Sequence, residues 1–209
     1  MNSIFGPGSD MERRIVDSYE NLEEIIRACK ALGKKIVLLS GTFDLLHIGH
    51  CRFFEEAKKA VGADLHNVVL VVGVDSDEKV KERKGPNRPV VPVQERAEML
   101  CHIRHVDLVK VKEATDEHWG LIKVVAPDVL IVSKRIGLSQ DELDTLGDMC
   151  GEVIELESQA MTSTSAKIRM LIVEVANQIR EKLEHANEQI SVVIQGVIES
   201  LEDIMGGGK

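Results

Sequence analysis

Lys34-Lys35-Ile36-Val37-Leu38-Leu39-Ser40-Gly41-Thr42-Phe43-Asp44-Leu45-Leu46-His47-Ile48-Gly49-His50 is the stretch that decides the fold. Ile36 to Leu39 has the apolar, β-branched composition of a buried strand, and at Gly41 the pattern breaks into a turn before an amphipathic helix begins near His47. A polar loop between the carboxyl end of a parallel strand and the amino end of a helix is where α/β proteins hold ligands. Backbone N–H groups at such a helix start bind phosphate oxygens, aided by the macrodipole. His47 and His50 stand three residues apart, so on a first helical turn both imidazoles lie to one side, toward that phosphate. Gly49 between them leaves the surface bare enough for a nucleotide to lie against the backbone. Two histidines at helical spacing also suit a metal pair, or chance. A zinc site needs a third and a fourth ligand, and Cys51, one residue from His50, is poorly placed to share an ion with it.

The 209 residues suffice for one α/β domain with an appendage, and 44% apolar residues supply a core. A net charge of -9 argues against a protein that coats nucleic acid or an acidic membrane. Cys29, Cys51, Cys101 and Cys150 show no C-x-x-C spacing, which fits free thiols in a reducing compartment better than a zinc ribbon or a redox pair. No apolar signal region and no membrane-length apolar run stand out. The expectation is a cytoplasmic protein with neither a nucleic-acid nor a membrane partner.

Residues 1–20 read as a flexible segment, loosest over the first ten with Gly6, Pro7 and Gly8. Asn21 with Glu24 reads as the cap of a leading helix that Gly33 stops. The helix after the signature loop ends near Gly62. Val68 to Val74 is a continuous β-branched run of the kind buried on both faces of a parallel sheet, with Asp75, Ser76 and Asp77 at its end on the rim of the histidines. Ser76 or Asp77 is read as a cap of the next helix rather than as a ligand. Lys79, Lys81, Arg83, Lys84 and Arg88 then crowd a Gly/Pro-bearing loop, and cations beside a phosphate-binding turn have a use in neutralising a triphosphate. A helix over 93–103, a strand over 106–111, a helix over 116–125, a strand over 128–132 and a strand over 153–156 follow. Between the last two, Ser139 and Glu142 make a capping box for a short helix. This alternation predicts an α/β fold, a Rossmann-like doubly wound parallel sheet of five strands with a long C-terminal helical extension.

Met161-Thr162-Ser163-Thr164-Ser165 opens the last helix with hydroxyls, which are ordinary caps and also ready phosphate ligands, with Lys167 and Arg169 nearby. From Ile168 through Ile172, Val175, Ile179, Leu183, Ala186, Ile190, Val193, Val197 and Leu201 to Ile204, apolar residues recur in steps of three and four. A stripe on a helix of roughly 55 Å must be buried against something, and no further sequence remains to cover it. Homo-oligomerisation through residues 170–205 is the favoured account, and a hairpin broken near Gly196 the alternative. The domain reading is therefore 21–169 for the α/β domain and 170–209 for an oligomerisation tail.

The G-T-F-D-L-L-H-I-G-H string resembles the signature of the nucleotidyltransferase superfamily, in particular its cytidylyltransferase-like branch. With V-G-V-D-S-D, K-G-P-N-R-P-V-V-P and E-R-A-E-M-L, it is similar in order and spacing to the adenylyltransferase domain of bifunctional heptose-phosphate kinase/adenylyltransferases. It looks more loosely like the glycerol-3-phosphate, choline-phosphate and ethanolamine-phosphate cytidylyltransferases. The likeness covers about residues 20–169. It implies that Gly41, Thr42, Phe43 and Asp44 frame the nucleotide, that His47 and His50 contact its phosphates as catalytic groups, and that catalytic Lys84, with Arg88, sits on the triphosphate or the acceptor phosphate. It further implies that Ser163, Thr164 and Ser165 bind the β- and γ-phosphates, and that Mg2+ is held mainly by those phosphates rather than by protein ligands. The implied reaction is nucleotidyl (AMP or CMP) transfer from ATP or CTP to a phosphorylated sugar or alcohol, with release of pyrophosphate. Two segments depart from the relatives. Ser133-Lys134-Arg135-Ile136 stands where they carry an acidic, glycine-bearing segment that reads base and acceptor, and Ser158-Gln159-Ala160-Met161 replaces R-T-E-G. Lys134 and Arg135 read equally as anion ligands or as surface cations.

Two other functions share parts of the pattern. A class I aminoacyl-tRNA synthetase core also uses H-I-G-H, but K-M-S-K-S and a basic tRNA-binding domain are missing. A non-catalytic nucleotide-binding scaffold assembled through its tail is the second, and the paired histidines, basic loop and hydroxyl cluster weigh against it.

Overall fold

The computed structural model describes residues 13–62, 64–157, 159 and 164–206. Contacts divide the chain into two compact units, residues 1–163 and 164–209.

The first unit is a parallel sheet of six strands: β1 (Ile15–Val16), β2 (Lys35–Gly41), β3 (Val68–Asp75), β4 (Leu108–Lys112), β5 (Val129–Ser133) and β6 (Glu152–Leu156). Their order is β1-β4-β3-β2-β5-β6, so the chain winds outward one way from β2 and then, at β5, the other way. All five pairings are parallel. The doubly wound expectation holds, with one strand more than the sequence pattern contains. The extra strand is β1, which pairs Ile15 with Val109 in a segment read as flexible. Two residues cannot display a period, which is why the pattern misses it.

Among the described residues, six α-helices serve this sheet: α1 (Tyr19–Ala31), α2 (Ile48–Lys59), α3 (Asp77–Lys84), α4 (Val93–Cys101), α5 (Gly120–Val125) and α6 (Gln140–Gly147). Every residue of β3 is buried, as its unbroken apolar run demands. Val37, Leu39, Leu70 and Val72 face Phe54 and Ala57 of α2 and Ala97 and Leu100 of α4. Their neighbours Ile36, Leu38, Val69 and Val71 face the opposite layer, built from Leu22 and Ile26 of α1, Leu121 and Val125 of α5 and Leu146 of α6. Gly73 lets β3 pass close to its cover: a Cβ there would stand 2.5 Å from Leu121 Cδ2 and 2.6 Å from Ser40 Oγ.

Three local expectations are corrected. The cap of α1 is Ser18, whose hydroxyl accepts from the Asn21 N–H, while Asn21 itself lies in the first turn and reaches back to Asp17. The helix read over 116–125 begins only at Gly120, because the Asp116 carboxylate accepts from the Glu113 N–H and the Tyr19 hydroxyl, and Trp119 is left-handed at φ 62°. The strand read over 106–111 is shifted to end at Lys112. The Ser139–Glu142 capping box is formed.

The described residues of the second unit form one helix, α7 (Thr164–Gly206), of 43 residues. It passes through Gly196 without a break, so the hairpin alternative is not what forms. The sequence-based boundary at 169/170 falls inside this helix, since the apolar period continues across it.

Candidate active site

The strand order reverses between β2 and β5, and the loop leaving β2 opens at that switch point, where doubly wound folds bind ligands. Gly41 ends β2 because the Phe43 ring folds back over it; a Cβ at Gly41 would lie 2.9 Å from Phe43 Cζ. Phe43 and Leu45 are both left-handed, at φ 51° and 53°. Non-glycine residues in that region cost on the order of 1–3 kcal/mol each and persist only where their surroundings hold them. The buried Phe43 ring packs on Phe54, centroids 5.3 Å apart, and meets His50 edge-on at 5.8 Å.

His47 is the N-cap of α2 and His50 its third residue. The Gly49 N–H donates to His47 Nδ1 at 3.1 Å, and the His47 N–H donates to His50 Nδ1 at 3.2 Å. The rings therefore do the work of a Ser/Glu capping box, with centroids 4.1 Å apart. A nitrogen that accepts carries no proton, so these bonds assign the proton of each neutral ring to Nε2. Burial, then the neighbouring His47, pushes the His50 pKa down to about 4. At neutral pH His50 is thus an uncharged Nε2–H donor at the positive end of a helix.

Around the loop stands a ring of cations tied to two carboxylates. Asp75, buried at the end of β3, takes Arg83 at 2.7 Å and Lys112 at 3.2 Å. Arg83 also donates to Thr42 Oγ1 at 2.8 Å. Asp44 takes Arg88 at 2.7 Å and the Val90 and Val91 N–H groups at 3.1 Å, which fastens the basic loop to the signature loop. Lys84 is exposed, and its pKa is lowered first by partial desolvation and next by Arg83, with Asp75 pulling the other way. Burial first lowers Lys112 in the same way. Beneath them Arg96, 1% exposed, donates to the Thr42 carbonyl at 2.6 Å, the Val91 carbonyl at 2.9 Å and Asp77 at 2.7 Å.

Gly41, Thr42, Phe43, Asp44, His47, Gly49, His50, Lys84 and Arg88 all belong to this one rim. Within it, Asp44 and Arg88 are paired with each other, and Thr42 is engaged from both its hydroxyl and its carbonyl. Ser76 caps α3 by accepting from the Lys79 N–H, and Asp77 pairs with Arg96. Ser163 lies outside the described residues; Thr164 and Ser165 open α7, and their side chains lie outside the description. Lys134 pairs with Glu157 across 2.8 Å in an exposed position, a bond of the weak surface class. Among the described residues no three His, Cys, Asp or Glu side chains gather as metal ligands.

The sequence reading missed Arg96 and Lys112. Arg96 precedes the inward Ala97 and stands four residues before Leu100, and an arginine on a core-facing stripe is a signal that a buried anchor exists. Lys112 lies across from Asp75 in strand register. Extending β4 by one residue brings it to the rim.

A family model described as cytidylyltransferase-like matches residues 38–192. The chain belongs to the cytidylyltransferase-like family. Among curated proteins it is 39% identical over 116 residues to the bifunctional protein HldE of Nitratiruptor sp., covering 56% of this chain and 24% of that protein. With the bifunctional protein HldE of Campylobacter jejuni it shares 33% over 162 residues, 78% of this chain and 32% of the relative. The chain thus spans a quarter to a third of the length of these two-function relatives. A solved structure, the lipopolysaccharide core biosynthesis protein from Thermoplasma volcanium, matches 59% of this chain and 97% of its own with a TM-score of 0.50 at 22% identity, a likeness of fold. Among the described residues of this family member, no helix is long and apolar enough to cross a membrane.

Proposed function

We propose that this chain is a nucleotidyltransferase that joins the nucleotidyl group of a nucleoside triphosphate to the phosphate of a phosphorylated sugar and releases pyrophosphate. The likeness of the signature stretches to the adenylyltransferase domain of heptose-phosphate kinase/adenylyltransferases supports ATP over CTP as donor and a sugar phosphate over an alcohol phosphate as acceptor. An oxygen of the acceptor phosphate attacks the α-phosphorus in line, the bond from that phosphorus to the bridging oxygen of the β-phosphate breaks, and pyrophosphate carries the electrons away. The nucleophile is already anionic, so no general base is required, and catalysis reduces to positioning and charge stabilisation.

In this reading the Nε2–H groups of His47 and His50, together with the start of α2, donate to α-phosphoryl oxygens as their charge grows. Lys84 and Arg83 take the outer phosphates, and Gly49 admits the nucleotide against the backbone. Asp44 and Asp75 are already occupied by arginine and lysine, so a divalent cation would be held by the triphosphate's own oxygens and would supply charge neutralisation there. The observation that carries the reading is the pair of Nδ1 acceptors, which fixes the orientation of both imidazoles at the helix start on the switch-point rim. Pyrophosphate release from ATP or CTP, measured with a panel of sugar and alcohol phosphates, is expected with ATP and one sugar phosphate. No release with any pair, alongside retained nucleotide binding, would favour a binding scaffold instead.

A further inference from the structure

From Ile168 to Ile204 the apolar stripe of α7 takes ten steps over thirty-six residues, the period of a straight α-helix, so the stripe stays on one side for the whole length. Its members Val175, Ile179, Leu183, Ile190, Val193, Val197 and Leu201 are each more than half exposed. The charges of the helix are polarised along it. Residues 164–182 carry Lys167, Arg169, Arg180 and Lys182 against Glu174 and Glu181, whereas 183–206 carry five acids, Glu184 to Asp203, and no lysine or arginine. That is the wrong way round for an isolated helix, whose amino end favours anions and whose carboxyl end favours cations.

We propose that α7 pairs with α7 of a second copy of this chain, antiparallel and centred on Ala186. Antiparallel pairing sets the acidic end of each helix, with its negative dipole end, against the cation-bearing amino end of the other, and so relieves the misfit twice. Parallel pairing sets acid against acid over the last two dozen residues. Most of the stripe suits the antiparallel arrangement: reflected about Ala186, Val175 falls on Val197, Ile179 on Val193 and Ile168 on Ile204, whereas Ile172, Leu183, Ile190 and Leu201 each fall one residue from a stripe member, and Ala186 meets its own copy with a side chain small enough for close approach. A contact about 55 Å long and about 10 Å wide covers roughly 550 Å² per copy, or about 1,100 Å² in all, which clears the roughly 1,000 Å² expected of a biological interface.

The test combines light scattering of the full chain with disulfide trapping of Val175→Cys and Val197→Cys proteins. Expected is a particle of twice the chain mass, and a cross-linked dimer from an oxidised equimolar mixture of the two variants but not from either alone beyond the parent's background. Cys29 and Cys101 of that background are buried, and Cys51 and Cys150 half-buried. Cross-linking of Val175→Cys with itself would establish parallel pairing and overturn the proposal. A monomeric parent would overturn it as well, whether α7 then folds back on its own chain or awaits a different protein. Ile179→Glu with Val193→Glu is expected to give a monomer whose first unit melts as in the parent, and a persistent dimer in that variant would place the interface elsewhere.

Discussion

Replacing Arg96 by methionine removes a side chain that ties the signature loop, the basic loop and the start of α3 together. The lost partners are two backbone carbonyls and the Asp77 carboxylate. Hydrogen bonds from a charged donor contribute about 1.5–3 kcal/mol each, and breaking a buried ion pair costs about 3–5 kcal/mol. The terms do not add, because Asp77, with its side chain 25% exposed, regains water once released. The expected loss is about 4 kcal/mol, which at roughly 2–4 °C per kcal/mol for a domain of this size lowers the Tm by about 8–16 °C. Arg96→Lys keeps the charge but reaches one partner at a time, and should lose about half as much. The assay is thermal unfolding by circular dichroism, with pyrophosphate release measured on Arg96→Lys well below its Tm. The proposed function then requires a fall in kcat larger than the unfolded fraction explains, because Thr42 and the 88–91 loop are no longer held in register. A methionine variant that melts within about 2 °C of the parent would refute the anchoring argument. A lysine variant with full kcat would refute its link to the site.

Three other outcomes are expected. His47→Ala or His50→Ala lowers pyrophosphate release by roughly 100- to 1,000-fold, the effect of removing a transition-state donor, while helix-cap loss costs only about 1 kcal/mol of stability; full turnover in either variant removes the proposed role. The His50 imidazole, followed by NMR, titrates near 4. Its folded pKa lies below the unfolded value of about 6.5, so the unfolded chain binds more protons in between, and stability falls as pH drops from about 6.5 toward 4 with no contribution from this group above that window. His50→Gln should flatten that slope, and an unchanged slope would show that burial does not hold the ring neutral. Gly73→Ala drives a Cβ into Leu121 and Ser40, and about 1–3 kcal/mol of destabilisation in urea melts is expected; a neutral result would mean that β3 shifts freely.

The parts of the fold legible in the sequence are those with a long local period. Val68 to Val74 and the apolar face of α4 announce themselves because their partners on both sides are apolar and interchangeable. β1 is too short to announce anything, and the start of α1 was misplaced because Ser18 and Asn21 are both good caps three residues apart. At the site, the strand-loop-helix grammar located the rim and the two histidines. It did not show that each imidazole accepts from the backbone, since a His-x-x-His cap mimics a motif normally written with a hydroxyl and a carboxylate. The long-range polar contacts were the least legible. Asp44 meets Arg88 across 44 residues and Arg96 meets the Thr42 carbonyl across 54, separations over which no local pattern carries information.

Asp75 has a consequence for how a polyanion arrives. Arg83 and Lys112 share Asp75 as an internal counter-ion at 2.7 and 3.2 Å, so one carboxylate offsets only one of their two charges and the rim keeps a positive excess. For the triphosphate of the proposed function, docking would be an exchange of anions at Arg83 rather than the capture of a bare charge. Stray anions of single charge are poor competitors for such a place, and a ligand that presents several oxygens at once is favoured by its valence as much as by its shape.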